Sequence, residues 1–187
     1  MKDGTETRRR IQAEALRMFA EKGVDATSTR DIARAAGIAD SALYRHYRSK
    51  DDLVWDLFST NYADYGRRLA EATAEGPARD RIDRAVREVC RRYDEDPALF
   101  NFLLLMQHGF LGRVADGPDN PVSVLCAVIA EGVARGEIRP GDPTLMAAMV
   151  MGVVLQPATF KLYGRIADRF EDLADALSAG AWRVLAP

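Results

Sequence analysis

Apolar residues recur at spacings of three and four from one end of the chain to the other, with no alternating stretch and no repeat. The spacing therefore predicts an all-α protein of about nine helices. The pattern is sharpest between Thr27 and Leu53. Ile32, Ala36, Ile38, Leu43 and Tyr47 fall at helical spacing on either side of Gly37, which predicts two short helices crossing at a tight turn. Ser28 with Asp31 fits a capping box, and Gly37 is the residue able to turn left-handed where the first of them ends, so that helix should cover residues 29–36. Ala33, Ala35 and Ala36 keep its inner side thin and allow close approach, while Arg30 and Arg34 stay in solvent.

The second short helix, residues 40–47, buries Leu43 and Tyr47 and turns Asp40, Ser41, Ala42, Tyr44, Arg45 and Arg48 outward. That mixture suits a reader of the major groove. A guanidinium pairs with guanine, small side chains admit base edges, and hydroxyls reach phosphate. From Thr27 to Lys50 five cations stand against two anions. A solvated, charged helix pair is the competing account. Ser49 to Asp52 repeats the Ser-x-x-Asp signature at the start of a third helix. A phosphate there would meet both a helix N-terminus and the Lys50 ammonium.

Leu53, Leu57, Phe58 and Tyr62 form a stripe on that helix, which should run over residues 51–74 and link the two parts of the protein. Gly76-Pro77 ends it. Ile82, Val86, Val89, Cys90 and Tyr93 mark the next helix, and Leu99, Phe102, Leu103 and Met106 one that breaks near Gly109. Residues 112–121 read as loop. Val122, Leu125, Ile129 and Val133 follow on a helix ended by Gly136. Helices over 144–163 and 167–185 close the chain. The expected division is a DNA-binding domain over residues 1–50 and a helical ligand-binding and dimerisation domain over 51–187. On the last helix, Phe170, Leu173, Leu177, Ala181 and Val184 share one face that something must cover. Either the same subunit covers it, or the last two helices meet their copies in a four-helix homodimer interface. A two-fold dimer would match a palindromic operator.

Charge changes the picture locally. The whole chain of 187 residues carries a net −2, yet residues 1–50 hold eleven Lys or Arg against seven Asp or Glu, and the remainder fifteen against twenty-one. A basic region confined to the helix-turn-helix is what a DNA footprint requires. Cys90 and Cys126 form neither a disulfide framework nor a metal-ligand spacing, and no metal or other cofactor is expected. Arg8, Arg9 and Arg10 precede Ile11 where a signal peptide would be apolar, so a cytoplasmic location is expected. Residues 143–160 carry no charge, about the minimum for a membrane span, but Thr144, Gln156, Pro157 and Thr159 interrupt them. A helix buried on most sides is expected instead, with no membrane partner.

Pro157 removes a backbone donor and should kink its helix near Gln156, turning a polar backbone group inward. Trp55, Phe58, Tyr62, Phe102, Met106, Cys126, Met149 and Phe160, with Gln107, His108 and Gln156 as polar members, are candidates for an apolar effector pocket, though each also fits ordinary core. Only His46 and His108 occur, without a Glu-x-x-His pair, a Gly-rich phosphate loop or a nucleophile couple. An enzymatic role is accordingly not expected.

As a joint pattern, Ala15 and Phe19, Gly23, Thr27, Asp31-Ile32-Ala33, Ala36-Gly37-Ile38, Leu43-Tyr44, His46-Tyr47 and Ser49-Lys50 resemble the DNA-binding domain of TetR-family transcriptional regulators. The resemblance implies that Thr27, Ser28, Thr29, Tyr44, His46 and Lys50 hold the phosphate backbone. It implies that Arg30, Asp40, Ser41, Ala42 and Arg45 occupy positions facing bases. It also implies a repressor released from its operator by a small apolar or amphipathic molecule, with a ligand-independent dimeric regulator as the alternative. Two departures stand out: Ala39 replaces the family's frequent Ser N-cap, and Asp40 is acidic. Asp40 either caps the helix itself or accepts from a cytosine amine.

Overall fold

Gly37 takes a left-handed φ of 66°, and around that turn the two short helices form as expected. The computed structural model describes residues 2–187, with side chains from Gly4 onward. Among these are nine α-helices and no strand: α1 (Lys2–Lys22), α2 (Thr29–Ala35), α3 (Asp40–His46), α4 (Lys50–Ala72), α5 (Ala78–Glu95), α6 (Pro97–Phe110), α7 (Pro121–Ala134), α8 (Pro143–Leu162) and α9 (Ala174–Leu185). Single 3-10 turns occur at Leu111–Arg113 and Glu171–Leu173.

The chain divides into two compact units, and the division does not fall at residue 50. The first runs to Asn61 and takes in Ala98–Leu111, while the second comprises Tyr62–Pro97 and Gly112–Pro187. Aromatic packing explains why the start of α4 and most of α6 join the N-terminal helices. Phe102 stacks on Phe19 with centroids 5.9 Å apart, and the rings of Trp55, Phe58 and Phe110 lie 5.3 to 6.2 Å from one another. Burying Phe58 and Phe102 contributes about 1.5–3 kcal/mol each, which a three-helix N-terminal unit of this size needs. Ile11, Ala15, Ile32, Ala33, Leu43 and Leu53 complete this core.

In the second unit α5 packs on α7 and α9, and α8 on α7 and α9. The turn at Gly76 is stapled by arginines. Buried Arg81 donates from Nε to the Thr73 carbonyl at 2.6 Å and pairs through Nη1 with Glu131 at 2.6 Å, while Arg84 Nε reaches the Ala72 carbonyl at 2.6 Å. These guanidiniums satisfy carbonyls that the end of α4 leaves without intrahelical donors. Gly66 is needed where the α6–α7 loop crosses α4, because a side chain there would overlap the Asp119 carbonyl.

Three expectations about the C-terminal helices are corrected. First, α9 begins at Ala174 rather than near 167. The Asp94 carboxylate accepts from the Phe170 and Glu171 backbone N–H groups at 3.0 and 2.9 Å, which fixes a 3-10 turn ahead of the helix. Second, Phe170, Leu177 and Ala181 are buried by their own subunit, and Leu173 and Val184 are half-buried. The Phe170 ring lies 4.9 Å from that of Tyr93, so this end of the stripe packs within its own subunit. Third, α8 continues through Pro157 to Leu162 and leaves Gln156 exposed. It is not buried on most sides. Met146, Ala147, Val150, Val154 and Ala158 face the core, but Leu145, Met149, Phe160 and Tyr163 are 42–66% exposed along its other side. This helix is the one among the described residues long and apolar enough to cross a membrane.

Candidate nucleic-acid interface

The local sequence sets α2 and α3 with little freedom. Ser28 caps α2, its hydroxyl accepting from the Asp31 N–H at 3.1 Å and donating to the Asp31 carboxylate at 2.6 Å. That hydroxyl is the main cause holding the Asp31 carboxyl below the usual carboxylate range. Ile32 and Ala33 anchor α2, Leu43 anchors α3, and Tyr47 terminates α3 as a buried C-cap. The two helices are also joined across their outer faces. The Thr29 and Tyr44 hydroxyls lie 3.1 Å apart, and Arg30 Nε contacts the Asp40 carboxylate at 3.1 Å.

The Arg30 contact corrects the expectation for Asp40. The residue at the N-cap of α3 is Ala39, which makes no side-chain cap bond, and Asp40 lies inside the first turn. Its carboxylate turns to Arg30 on α2 rather than back to its own helix. This is a solvated pair worth at most about 1 kcal/mol, so either group is available to another charged partner. Ser41 and Arg45 are exposed, Tyr44 is 52% exposed, and Ala42 and His46 are half-buried. Side chains of varied hydrogen-bonding character therefore line one outer strip of α3.

Two of the implied phosphate ligands are engaged inside the protein. Thr27 is buried, and its hydroxyl donates to the Gly23 carbonyl at 2.8 Å, closing the end of α1. The Lys50 ammonium donates to the Val24 and Thr27 carbonyls at 3.0 and 3.2 Å, and lies 3.5 Å from that of Asp25. It thus gathers the loop between α1 and α2 onto the start of α4. That start is capped as expected, Ser49 Oγ accepting from the Asp52 N–H at 3.1 Å.

Sequence reasoning missed the role of Asp56. Its carboxylate accepts from Tyr47 Oη at 2.8 Å, from Gln12 Nε2 at 2.8 Å and from Arg8 Nη2 at 2.6 Å, tying α1 and α4 to the end of α3. Burial, followed by the bond to Asp56, pushes the Tyr47 phenol well above its ordinary pKa and keeps it a donor. An acidic residue three positions after Leu53 on a charged helix gave no sign of this.

The residues singled out for an effector pocket are divided between the two units. Trp55, Phe58 and Phe102 belong to the aromatic core of the first unit, where Met106 and Gln107 are half-buried and His108 is exposed on α6. Tyr62 is buried in the second unit, Cys126 is half-buried on α7, and Met149, Gln156 and Phe160 lie on the outer side of α8. One cavity of the second unit lies between α4, α5, α7 and α8. Leu69, Val86, Val89, Leu125, Val150 and Val154 line it together with Tyr65, and its volume is about 70 Å³. Burial pushes the Tyr65 phenol far above its ordinary pKa, so it remains neutral. Among the described residues no group of three or more His, Cys, Asp or Glu side chains could hold a metal ion.

A capped two-helix reading head, braced by α1 and α4, defines a helix-turn-helix protein. Residues 11–57 match the model of the bacterial regulatory proteins of the tetR family. Over 65 residues the chain is 40% identical to the HTH-type transcriptional regulator AcrR of Shigella flexneri, a match covering 33% of this chain but only 30% of that protein. A longer match, 24% identical over 151 residues and covering 78% of each chain, is to the fatty acid metabolism regulator protein of Bacillus subtilis. In fold, the chain is similar to the TetR family transcriptional regulator PfmR from Thermus thermophilus, with a TM-score of 0.72 at 25% identity over 93% of this chain and 97% of that one. It is likewise similar to the regulator FadR from Bacillus subtilis in complex with stearoyl-CoA, with a TM-score of 0.76 at 18% identity over 92% and 96%. Residues 11–57 are therefore similar to the DNA-binding region of the tetR family of bacterial regulatory proteins, and the fold over most of the chain is that of a TetR family regulator.

Proposed function

We propose that this protein is a cytoplasmic, homodimeric transcriptional repressor that grips palindromic operator DNA and lets go when an apolar or amphipathic effector enters its second unit. The observation that carries the reading is the outer strip of α3, where Ser41, Tyr44 and Arg45 stand exposed on a helix fixed by its buried side. Arg45 is the base-reading residue, a bidentate partner for guanine. Ser28, Thr29, Tyr44 and His46 serve the phosphates, while Arg30, Asp40, Ser41 and Ala42 face base edges. Thr27 and Lys50 act from behind, by holding the loop that presents Ser28 and Thr29. Relatives named as regulators, and not enzymes, support the same reading.

Dimerisation uses the outer side of α8. Leu145, Met149, Phe160 and Tyr163 make an apolar stripe that also includes Ala148 and Gly152, small enough for a second helix to approach closely. A second copy is the fitting occupant, because one short recognition helix covers too few base pairs and two-fold pairing matches a palindrome.

The cavity gives the release step a physical basis. At about 70 Å³ it is smaller than the ~150 Å³ that accepts benzene, and well below the ~300–1,000 Å³ of a drug-sized site. An effector that enters it must therefore spread the helices that line it. One of them is α4, the same helix whose first turn holds Lys50. A ligand that favours the spread arrangement shifts the population away from the DNA-competent one. Long-chain acyl thioesters are the first class to test, given the relative that regulates fatty acid metabolism and the neighbour solved with stearoyl-CoA.

The test is selection of bound fragments from genomic DNA by the purified protein, followed by titration of the recovered site with acyl-CoAs of increasing chain length. We expect a palindromic site, and its release by the longer chains. Absence of any preferred fragment would overturn the regulator reading. A preferred site unmoved by any lipophilic compound would leave a ligand-independent dimeric repressor.

A further inference from the structure

The N-terminal turns of α1 reach beyond the core that the rest of the helix serves. The first buried residue of α1 is Ile11, and of the side chains from Gly4 to Arg10 only Thr7 is even half-buried. Residues 2–10 carry Lys2 and the run Arg8-Arg9-Arg10 against Asp3 and Glu6. Where this basic end lies is fixed by Arg8. Its guanidinium pairs with Asp56 at 2.6 Å and lies over the Tyr47 ring, 5.2 Å from the centroid. Tyr47 is the C-cap of α3, and Arg48 follows it, exposed.

The anchor therefore sets the start of α1 beside the end of the helix that reads DNA. Arg9 and Arg10 rise about 1.5 Å per residue from Arg8 along α1. Both are exposed, and neither forms an ion pair among the described residues. Arg45 and Arg48, at the end of α3 that Arg8 touches through Tyr47, are exposed as well.

We infer that Arg9 and Arg10 form a second DNA contact, gripping phosphates that flank the stretch read by α3, with Arg8 as the positioning residue that aims them. The inference rests on the DNA-binding reading above. Arg8 itself is spent on Asp56 and Tyr47, so the two arginines after it carry the contact. The fit is to a polyanionic duplex continuing past the recognition helix. Arg9 and Arg10 meet phosphates rather than base edges, so the contact adds affinity and footprint length without changing the preferred sequence.

The test compares the wild type with R9A/R10A and R9K/R10K on the selected operator, measured across a series of salt concentrations. Both positions are exposed, so all three proteins should melt alike. We expect R9A/R10A to bind about tenfold or more weakly at moderate salt, with the slope of log affinity against log salt flattened by about 0.9 for each phosphate no longer neutralised. The protected stretch in a footprint should shorten at its outer edges while its centre and the ranking of operator sequences stay unchanged. R9K/R10K, which keeps both charges, should bind within about threefold of the wild type. Equal affinity and slope for R9A/R10A and the wild type would overturn the inference while leaving the α3 reading intact. Failure of the wild type to select any operator would remove the α3 reading itself, and this one with it.

Discussion

Replacing Lys50 by Met separates two roles that a DNA-binding assay alone would merge. The ammonium donates to the Val24 and Thr27 carbonyls at 3.0 and 3.2 Å, with the Asp25 carbonyl at the edge of reach. Methionine keeps most of the aliphatic stem and removes only the donor. A hydrogen bond to a charged group contributes about 1.5–3 kcal/mol when buried. Lys50 is half-buried and its carbonyl partners regain water once it is gone, so two such bonds sum to about 1–2 kcal/mol in place of twice the buried value. For a chain of this size that lowers Tm by about 2–8 °C. Because the loop released is the one that carries Ser28 and Thr29 to the surface, operator affinity should fall as well. Stability and affinity are then lost together, and thermal melting of the free protein reads the first without DNA present. If K50M melts like the wild type while operator affinity drops, Lys50 is a direct phosphate ligand and the carbonyl contacts carry no weight.

Arg45→Ala should weaken binding to the selected operator by about 1–3 kcal/mol and relax discrimination at one position of each half-site, read by titration of single-base variants. Met149→Arg and Phe160→Arg should each convert the dimer to a monomer in sedimentation at micromolar concentration, since each desolvates a guanidinium in the α8 stripe. A dimer untouched by both would move the interface off α8. Phe170→Ala should cost about 3–5 kcal/mol in chemical denaturation, with no change of oligomeric state in the protein that remains folded. Dissociation without destabilisation would return that stripe to the subunit interface.

What could be read from the sequence divides along a physical line. Local rules specify the helix-turn-helix: the Ser28 cap, the left-handed Gly37 and the spacing of Ile32, Leu43 and Tyr47 act within about twenty residues, and each appears in the fold as expected. The nine-helix, all-α architecture was legible for the same reason, since the apolar period is a property of each helix alone. The errors begin where a face must choose its partner. The Phe170–Val184 stripe and the Leu145–Tyr163 stripe both belong to amphipathic C-terminal helices, and periodicity gives each a covered side without saying what covers it. A ring contact between Phe170 and Tyr93, seventy-seven residues apart in sequence, resolved the first. The effector candidates were chosen by chemistry, as aromatic and soft side chains, and they divide between the two units. The cavity is instead lined by Val and Leu residues indistinguishable in sequence from core.

The same distinction bears on how such a protein would come to answer a particular molecule. The reading head is fixed by bonds internal to the first unit, among them Ser28 to Asp31, Thr27 to Gly23, and Asp56 to Tyr47 and Arg8. None of these groups lines the cavity. Effector specificity can therefore drift by exchange of one aliphatic residue for another at Val86, Leu125 or Val150, each swap altering cavity shape by a methylene or two at a cost usually below about 1.5 kcal/mol. The DNA-reading surface is untouched by such changes. Selectivity gained this way is coarse, since a methylene in an apolar pocket discriminates by only about 1–3 kcal/mol. Sharper recognition needs a polar group whose pairing a wrong ligand would leave unsatisfied, and Tyr65 is the residue lining this cavity that carries one. Tyr65→Phe is accordingly the substitution that should broaden the range of effectors while leaving operator affinity in their absence unchanged. A narrower range in a titration of ligands against the DNA complex would refute that assignment.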